Sequence, residues 1–250
     1  MTGQSLLSRG PGVAGSYAIA QVTKTGSNVS AVKANEKVFV ASPGVFGEEV
    51  TTDASNVIPL KTQKTAEEMA SIPAILTAWA LLHEFKSLKP SDVVVQTNGQ
   101  TAVGQAVSQI AEVKGINVVN VTEKTVADFK PSGEVALCLC NSSAMSKPLL
   151  KLLGSDAAFV AYSDTVEPIS AIHSVDIPVT SAIFKKVKVS GFHLMTWKEL
   201  EPVKFKNAVA EVAAWIDAGK VSVPSKKYML ADYASALTES STGSLVVFSI

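Results

Sequence analysis

The order of hydrophobic and polar residues predicts a β-rich beginning and a centre in which strands and helices alternate. Residues 17–42 contain short apolar runs interrupted by turn-forming residues at Gly26-Ser27-Asn28 and Ala34-Asn35, a pattern typical of strands joined by turns. Between residues 64 and 86, apolar side chains recur at the spacing of a helix. Pro73 lies inside this stretch and predicts two short helices rather than one long one.

From Val93 onward the pattern changes to that of a parallel sheet. Four short apolar runs are predicted strands: Val93–Thr97, Asn117–Val121, Val135–Cys140 and Ala157–Tyr162. A helix is predicted after the first run, through Ala106–Val113, and a short one at Met145–Leu153 before the last run. Strands that alternate with helices predict a parallel sheet with right-handed crossovers.

One predicted connection is unusually short. Only residues 122–134 separate the second and third strands, and they include Pro131 and Gly133. A crossover that contains a helix needs at least about 10–12 residues. We therefore expect a minimal crossover without a proper helix.

The last third of the chain is predicted to contain two helices and two strands. Residues 184–194 alternate between apolar and polar and predict an exposed or edge strand. An amphipathic helix is predicted over residues 203–217, a second helix over residues 230–241, and a final strand over residues 243–250.

Composition narrows the functional classes. The 22 basic and 22 acidic residues balance, so no electrostatic surface for nucleic acid is predicted. Hydrophobic residues make up 47% and charged residues 18% of the chain, which excludes disorder, collagen and coiled coil. This low charged fraction predicts extensive burial, including surface covered by a partner. No apolar run approaches the ~18 residues of a membrane span.

Metal and disulfide chemistry is not predicted. The two cysteines, Cys138 and Cys140, are expected to be buried thiols on opposite faces of a strand, in a reducing compartment. Only His83, His173 and His193 are available besides, and they make no zinc-binding pattern.

Candidate chemistry lies in the turn after the first strand of the predicted parallel sheet. Gly99, Gly104 and the hydroxyl of Thr101 suit a phosphate that approaches backbone amides at a helix N-terminus. Glu123, nineteen residues after Gly104, suits ribose hydroxyls. Many α/β loops contain two glycines, so these residues alone leave a dinucleotide site and an ordinary turn equally open.

The sequence resembles the medium-chain dehydrogenase/reductase superfamily, and within it the zinc-free branch of mitochondrial trans-2-enoyl thioester reductases. Most of the chain takes part, in family order, through residues 18–41, 76–111, 183–206 and 231–248. The most specific matches are AVGQAVSQIA, which starts at Ala102, and GFHLMTW, which starts at Gly191.

The resemblance implies an α/β fold in which a Rossmann-type parallel sheet, with one crossover shortened, is inserted in a truncated, β-rich, GroES-like catalytic domain. The implied dinucleotide-binding domain is residues 64–194, and the catalytic domain is residues 1–63 and 195–250. In the family, a tyrosine before the matched region positions the substrate, and the residues that precede the match lack its motif. Tyr17 adjoins the start of the match and is expected to be a core residue.

The implied function is reduction of the C2=C3 bond of enoyl-acyl-carrier-protein or enoyl-CoA by NADPH or NADH in mitochondrial fatty acid synthesis, without a metal. The cofactor-binding residues expected are Gly99, Thr101, Val103, Gly104, Glu123, Lys124 and Lys185. The substrate-pocket residues expected are Trp79, Phe192, Leu194 and Trp197. His193 is a weak candidate for a catalytic acid, and a solvated strand histidine is the alternative.

Several positions depart from the family pattern. Ala102 replaces the first glycine of a Gly-Val-Gly turn, and Ser163-Asp164 replaces a Gly-Gly pair. The arginines that would bind a 2′-phosphate are absent, and Glu123 would repel that phosphate while accepting from a ribose hydroxyl. NADH is therefore expected to suit the site at least as well as NADPH.

Three functions remain open from the sequence: an enoyl thioester reductase, a catalytically degenerate structural subunit of a large mitochondrial assembly, and a dinucleotide sensor. The expected partners are an acyl thioester on acyl carrier protein or CoA, and a second copy or a different subunit paired along the exposed strand Val187–Leu194. Mitochondrial location is expected from the resemblance and from the absence of acidic residues before Glu36.

Overall fold

Three separate sheets organise the structure, a computed structural model that describes residues 14–142, 144–162, 179–240 and 242–249. The β-rich beginning forms an antiparallel sheet of β1 (Tyr17–Gln21), β2 (Lys37–Ala41) and β3 (Val57–Pro59), in that order. The turn-rich pattern of this segment predicted such strands.

A five-stranded parallel sheet forms the centre of the fold. Its strands are β4 (Val93–Thr97), β5 (Asn117–Val121), β6 (Val135–Cys140), β7 (Leu153–Tyr162) and β8 (Lys188–Phe192). They lie in the order β5-β4-β6-β7-β8 and pair in parallel throughout. The predicted α/β class is confirmed, and β7 begins four residues before its predicted start. A third sheet pairs β9 (Ser225–Met229) with β10 (Leu245–Ser249).

Helices connect and cover these sheets. They are α1 (Ala66–Met69), α2 (Ile72–His83), α3 (Ala102–Val113), α4 (Ser146–Leu152), α5 (Val179–Lys185), α6 (Leu194–Leu200), α7 (Pro202–Asp217) and α8 (Tyr233–Ser240). The end of α5 lies where the sequence predicted the start of an alternating strand, so β8 is shorter than expected.

The division between α1 and α2 has a local cause. Thr65 and Glu68 form a reciprocal capping box that begins α1, and the chain then turns at Ala70. Pro73 lies in the first turn of α2, where a missing backbone N–H leaves no helical bond unmade. The predicted break before a second helix is confirmed.

The short crossover between β5 and β6 contains turns and no helix, as predicted. Residues 122–134 carry the chain from β5 past β4 to β6 and form no strand of their own. Among the strands that the structure describes, β5 therefore pairs with β4 alone. On this side of the described sheet, β5 is the edge strand and β4 separates it from β6.

The core covers both faces of the parallel sheet. On one face, Leu81 of α2 and Ile110 of α3 belong to a continuous apolar cluster that also includes Phe39 of β2. On the other face, Phe159 packs with α4. Because one cluster joins β2 to the parallel sheet, the domain boundaries at residues 63 and 194 stay a prediction.

The two cysteines lie on the same face of β6, which corrects the expectation that they point to opposite faces. Residues two apart on a strand share a face, and Cys138 and Cys140 both join the cluster around Phe159. Both thiols are free and buried. Burial raises the pKa of both, that of Cys140 to about 11.

Two searches of the described residues found nothing further. None of their helices is both long and apolar enough to cross a membrane. Within the same ranges, histidine, cysteine and acidic side chains nowhere form a group of three that could hold a metal ion.

The core predicts a large difference between two helical leucines. Leu81 of α2 is fully buried, whereas Leu200 at the end of α6 is 74% exposed. We expect Leu81→Ala to lower the free energy of unfolding by about 2–5 kcal/mol and Leu200→Ala to change it by less than about 0.5 kcal/mol. Urea denaturation of both variants measures this, and equal effects would contradict the described core.

Candidate functional site

The carboxyl ends of the parallel strands bring the candidate cofactor residues to one edge of the sheet. The turn containing Gly99 and Gly104 follows β4, Glu123 follows β5, and His193 follows β8. From β4 the chain crosses to β5 on one side, and the next strand, β6, lies on the other side of β4, so the strand order switches direction at β4 while all five strands stay parallel. Crevices at such a switch point are the usual ligand sites of open α/β sheets.

The turn after β4 begins a helix earlier than the sequence predicted. Thr101 is the N-cap of α3, and its hydroxyl accepts a hydrogen bond from the Gly104 amide at 3.2 Å. Val103 and Gly104 therefore lie in the first helical turn, although they were expected in a loop. Asn98, which precedes the turn, adopts a left-handed conformation with φ of 51°.

Both glycines of the turn lie in close contact with other residues, Gly104 with backbone atoms and Gly99 with a side chain. A Cβ on Gly104 would lie 2.5 Å from the Asn98 carbonyl oxygen, so the glycine permits close contact between α3 and the turn. A Cβ on Gly99 would lie 1.9 Å from Oδ1 of Asn120 on β5. The glycine pattern at this turn is thus explained by protein contacts.

Backbone amides at the start of α3 are partly engaged. The Ala102 amide donates to the Gly243 carbonyl oxygen at 3.0 Å, across from the turn between α8 and β10. Gly243 has φ of 84°, and a Cβ there would lie 2.5 Å from Cγ2 of Thr101. The start of α3 therefore has fewer free backbone amides for a dinucleotide phosphate than a helix N-terminus without such a contact.

The types of residue at this edge of the sheet are those of a dinucleotide-binding site. A strand, a close turn with a buried glycine and a helix N-terminus follow one another at the switch point, as a pyrophosphate requires. Glu123 and Lys124 are exposed beside them after β5. A carboxylate at this place accepts hydrogen bonds from ribose hydroxyls.

A cavity of about 1,520 Å³ adjoins the start of α3. Four of the predicted site residues line it: Val103, Phe192, His193 and Leu194. Tyr17 of β1 also lines it, although the sequence indicated only a core position. The cavity therefore joins the cofactor edge to the aromatic and aliphatic residues at the end of β8.

His193 caps α6. Its Nδ1 accepts from the Thr196 amide at 3.4 Å and lies 3.1 Å from the Thr196 hydroxyl. Burial lowers the pKa of His193, so the ring is mainly neutral at pH 7. The capping role accounts for the side chain, and its role as an acid stays a prediction.

The two predicted substrate tryptophans lie in an aromatic cluster outside the described lining of the cavity. Trp79 stacks on His83 at 4.2 Å and donates from Nε1 to Glu211 at 3.2 Å. Trp197 is buried, with its ring 6.1 Å from that of Phe192 and 5.8 Å from that of Phe205. Their contacts are those of core residues between helices.

Lys185 is not brought to the cofactor turn. Its ammonium donates to the carbonyl oxygen of Leu153, where β7 begins. Strand starts lie at the amino edge of a parallel sheet, opposite the turn after β4. The other departure from the family pattern, Ser163-Asp164, lies outside the described residues.

Sequence reasoning missed two residues beneath the turn, Gln96 of β4 and Asn120 of β5. The Nε2 of Gln96 donates to Oδ1 of Asn120 at 2.7 Å and to the Gly104 carbonyl at 3.1 Å. A polar residue inside the otherwise apolar run VVVQT was the signal that could have found the first.

The chain is similar in sequence to known mitochondrial reductases. No family model matches the chain. The chain is 30% identical over 276 residues to the mitochondrial enoyl-(acyl-carrier-protein) reductase of Bos taurus, covering 94% of this chain and 71% of the relative.

Solved structures share the fold. The Etr1p/NADP/crotonyl-CoA complex superposes with a TM-score of 0.78 and 20% identity, over 94% of this chain and 80% of that one. The mitochondrial 2-enoyl thioester reductase Etr1p/Etr2p heterodimer from Candida tropicalis gives 0.77 and 20%, with the same coverage.

The parallel sheet, the turn after β4 and the bovine relative agree with the motifs AVGQAVSQIA and GFHLMTW. The chain belongs to the mitochondrial enoyl-(acyl-carrier-protein) reductase family, within the medium-chain dehydrogenase/reductase superfamily.

Proposed function

We propose that this chain reduces the C2=C3 double bond of a trans-2-enoyl thioester, carried on acyl carrier protein or CoA, with a nicotinamide dinucleotide. The observation that carries the proposal is the cavity that joins the start of α3 to Phe192 and Leu194. Its volume of about 1,520 Å³ exceeds the 300–1,000 Å³ typical of small-molecule sites. A cofactor end and an acyl chain fit together in such a space.

The chain's own residues contribute binding and orientation. Gly104 brings α3 against the turn, and Val103 at the start of that helix lines the cavity. Apolar walls at Phe192 and Leu194 favour an acyl chain and exclude water from it. The bound nicotinamide supplies the hydride, and the protein orients the two reactants.

The cofactor preference is proposed to include NADH. Glu123 and Lys124 are exposed at the end of β5, where a dinucleotide's adenosine ribose lies in folds of this kind. A carboxylate repels a 2′-phosphate but accepts from a 2′-hydroxyl, while Lys124 offsets the repulsion. We propose that NADH and NADPH are both used, and that Glu123 weakens the binding of NADPH.

The proposed location is the mitochondrion, because the relatives of this family carry that location in their names. The proposed assembly is a dimer, with either a second copy or a related subunit, along β8. Among the described strands, β8 pairs only with β7. In α5, which precedes β8 in the chain, Ile183 and Phe184 are 63% and 80% exposed, which is unusual for large apolar side chains.

Turnover tests the proposed reaction directly. We expect the purified chain to oxidise NADH or NADPH when crotonyl-CoA is added, followed by the loss of nicotinamide absorbance. Gly104→Ala should lower kcat/KM about thirty-fold, equivalent to about 2 kcal/mol, because a Cβ there would lie 2.5 Å from the Asn98 carbonyl oxygen.

Gly133→Ala is the matched control, since the nearest atom to its added Cβ, Cγ2 of Val93, is 3.7 Å away and Gly133 does not line the cavity. It should retain wild-type turnover. Absence of turnover in the wild type with both cofactors and with acyl-carrier-protein thioesters would refute the proposal and favour a structural subunit.

Cofactor preference gives a second prediction. Replacing Glu123 by Gln removes a negative charge from the proposed ribose site, so the ratio of kcat/KM for NADPH to that for NADH should rise about five-fold. Glu112→Gln, an equally exposed change on α3, should leave the ratio unchanged. An unchanged ratio in both variants would place the ribose elsewhere.

Assembly gives a third prediction. Phe184→Glu puts a charge on the exposed apolar surface of α5, which we include in the proposed interface, and should weaken the proposed dimer at least about ten-fold. Leu200→Glu makes the same kind of change at another exposed position and should leave the dimer intact. Sedimentation velocity measures both, and a dimer that survives Phe184→Glu would contradict this interface.

A further inference from the structure

Gln96 is fully buried in β4, directly before the turn that the proposed cofactor site uses. Its Nε2 has three acceptors within reach: the Gly104 carbonyl at 3.1 Å, the Ser108 hydroxyl at 3.1 Å and Oδ1 of Asn120 at 2.7 Å. No partner for its Oε1 lies among the described residues. The amide nitrogen thus makes all the polar contacts of this buried side chain.

The orientation of the Gln96 amide is fixed by its neighbours. The Gly104 carbonyl can only accept a hydrogen bond, so a rotated amide would place two acceptors against each other. Ser108 donates its hydroxyl to the same carbonyl at 3.1 Å. Gln96 therefore holds the first turn of α3 against β4 through its hydrogen bond to the Gly104 carbonyl.

Asn120 extends this contact to the neighbouring strand. Its carboxamide receives the hydrogen bond from Gln96 and lies over the α-carbon of Gly99. The three atoms nearest to a Cβ added at Gly99 are all from this carboxamide, at 1.9, 2.3 and 2.8 Å. Gly99 is a glycine because Asn120 occupies the space of its side chain.

The turn between these contacts begins at Asn98, which adopts the left-handed conformation with φ of 51°. Asparagine is several-fold enriched in this conformation among residues other than glycine. On one side the turn meets Gly104, and on the other it meets the Asn120 carboxamide. Buried Gln96 and exposed Asn120 thus contact the two sides of the turn from β4 and β5.

We propose that Gln96 and Asn120 are positioning residues for the dinucleotide: together they hold the turn from Asn98 to Gly104 in the shape that the cofactor binds. The inference rests on the proposed function. Neither residue needs to touch the reacting atoms, so their substitution should affect cofactor binding and spare the acyl site.

Four variants test the proposal, with NADH and NADPH as probes of the intact chain. We expect Asn120→Ala and Gln96→Met each to weaken cofactor binding about ten-fold, equivalent to one hydrogen bond. Gly99→Ala should weaken it similarly because it collides with Asn120. The double variant Gly99→Ala/Asn120→Ala should bind as Asn120→Ala does, since the collision is removed.

The readouts separate positioning from general destabilisation. Cofactor affinity is measured by the change in nicotinamide fluorescence, and steady-state kinetics should show a raised KM for the cofactor with KM for crotonyl-CoA and kcat unchanged. Asn117→Ala is the control, because Asn117 is exposed at the other end of β5. Its cofactor affinity should equal that of the wild type.

The outcomes are distinct. If Asn120→Ala and Gln96→Met bind cofactor as the wild type does, the positioning role is wrong and the proposed function stands. Losses that multiply in the double variant would show that Gly99 and Asn120 act independently, against the proposal. If the wild type binds neither dinucleotide, the proposed function fails and this inference fails with it.

Discussion

Burial of β4 between two parallel neighbours is the constraint on which the rest of the structure depends. All five of its residues are buried, so the polar groups of Gln96 and Thr97 need partners inside the protein. Gln96 finds them in α3 and Asn120, and the hydroxyl of Thr97 donates to Oδ1 of Asn141 at 2.6 Å. The carboxyl end of β4 is thereby joined to β5 and to the residue that directly follows β6. These contacts fix the position of the turn that starts α3.

A chain of aromatic contacts links the β-rich part to the parallel sheet. Tyr17 stacks on Phe39 at 6.0 Å, Phe39 contacts Phe205 at 6.4 Å, and Trp197 lies between Phe205 and Phe192. Tyr17, Phe39 and Phe192 line the cavity, whereas Trp197 and Phe205 are not among its described lining residues. Trp197, which was expected in the substrate pocket, thus packs behind the lining residue Phe192 in the core.

Local patterns predicted the elements, and contacts distant in sequence decided the site. Apolar runs predicted β4, β5 and β6 to the residue. Strands covered on both faces, such as β4 and β6, leave a clear pattern, whereas β5 is partly exposed at Asn117 and Asn120. The start of α3 was missed because the N-cap hydroxyl of Thr101 was assigned to phosphate binding. No local signal indicates that the Gly243 carbonyl reaches the Ala102 amide, or that Lys185 contacts the start of β7. Gln96 was visible as a polar residue in an apolar strand, but its partner Asn120 follows only from strand order.

The two buried thiols of β6 can report on transient opening of the parallel sheet. Cys138 and Cys140 lie on one face, shielded by α4, and burial keeps both protonated at neutral pH. A thiol reagent reacts with the thiolate and needs access to it, so labelling in the native protein proceeds only through transient exposure of β6. The labelling rate then measures how often the sheet beside the short crossover opens. Val126 and Phe129 of that crossover belong to the same apolar cluster as the two thiols, so the labelling rate also reports how firmly this short connection covers them.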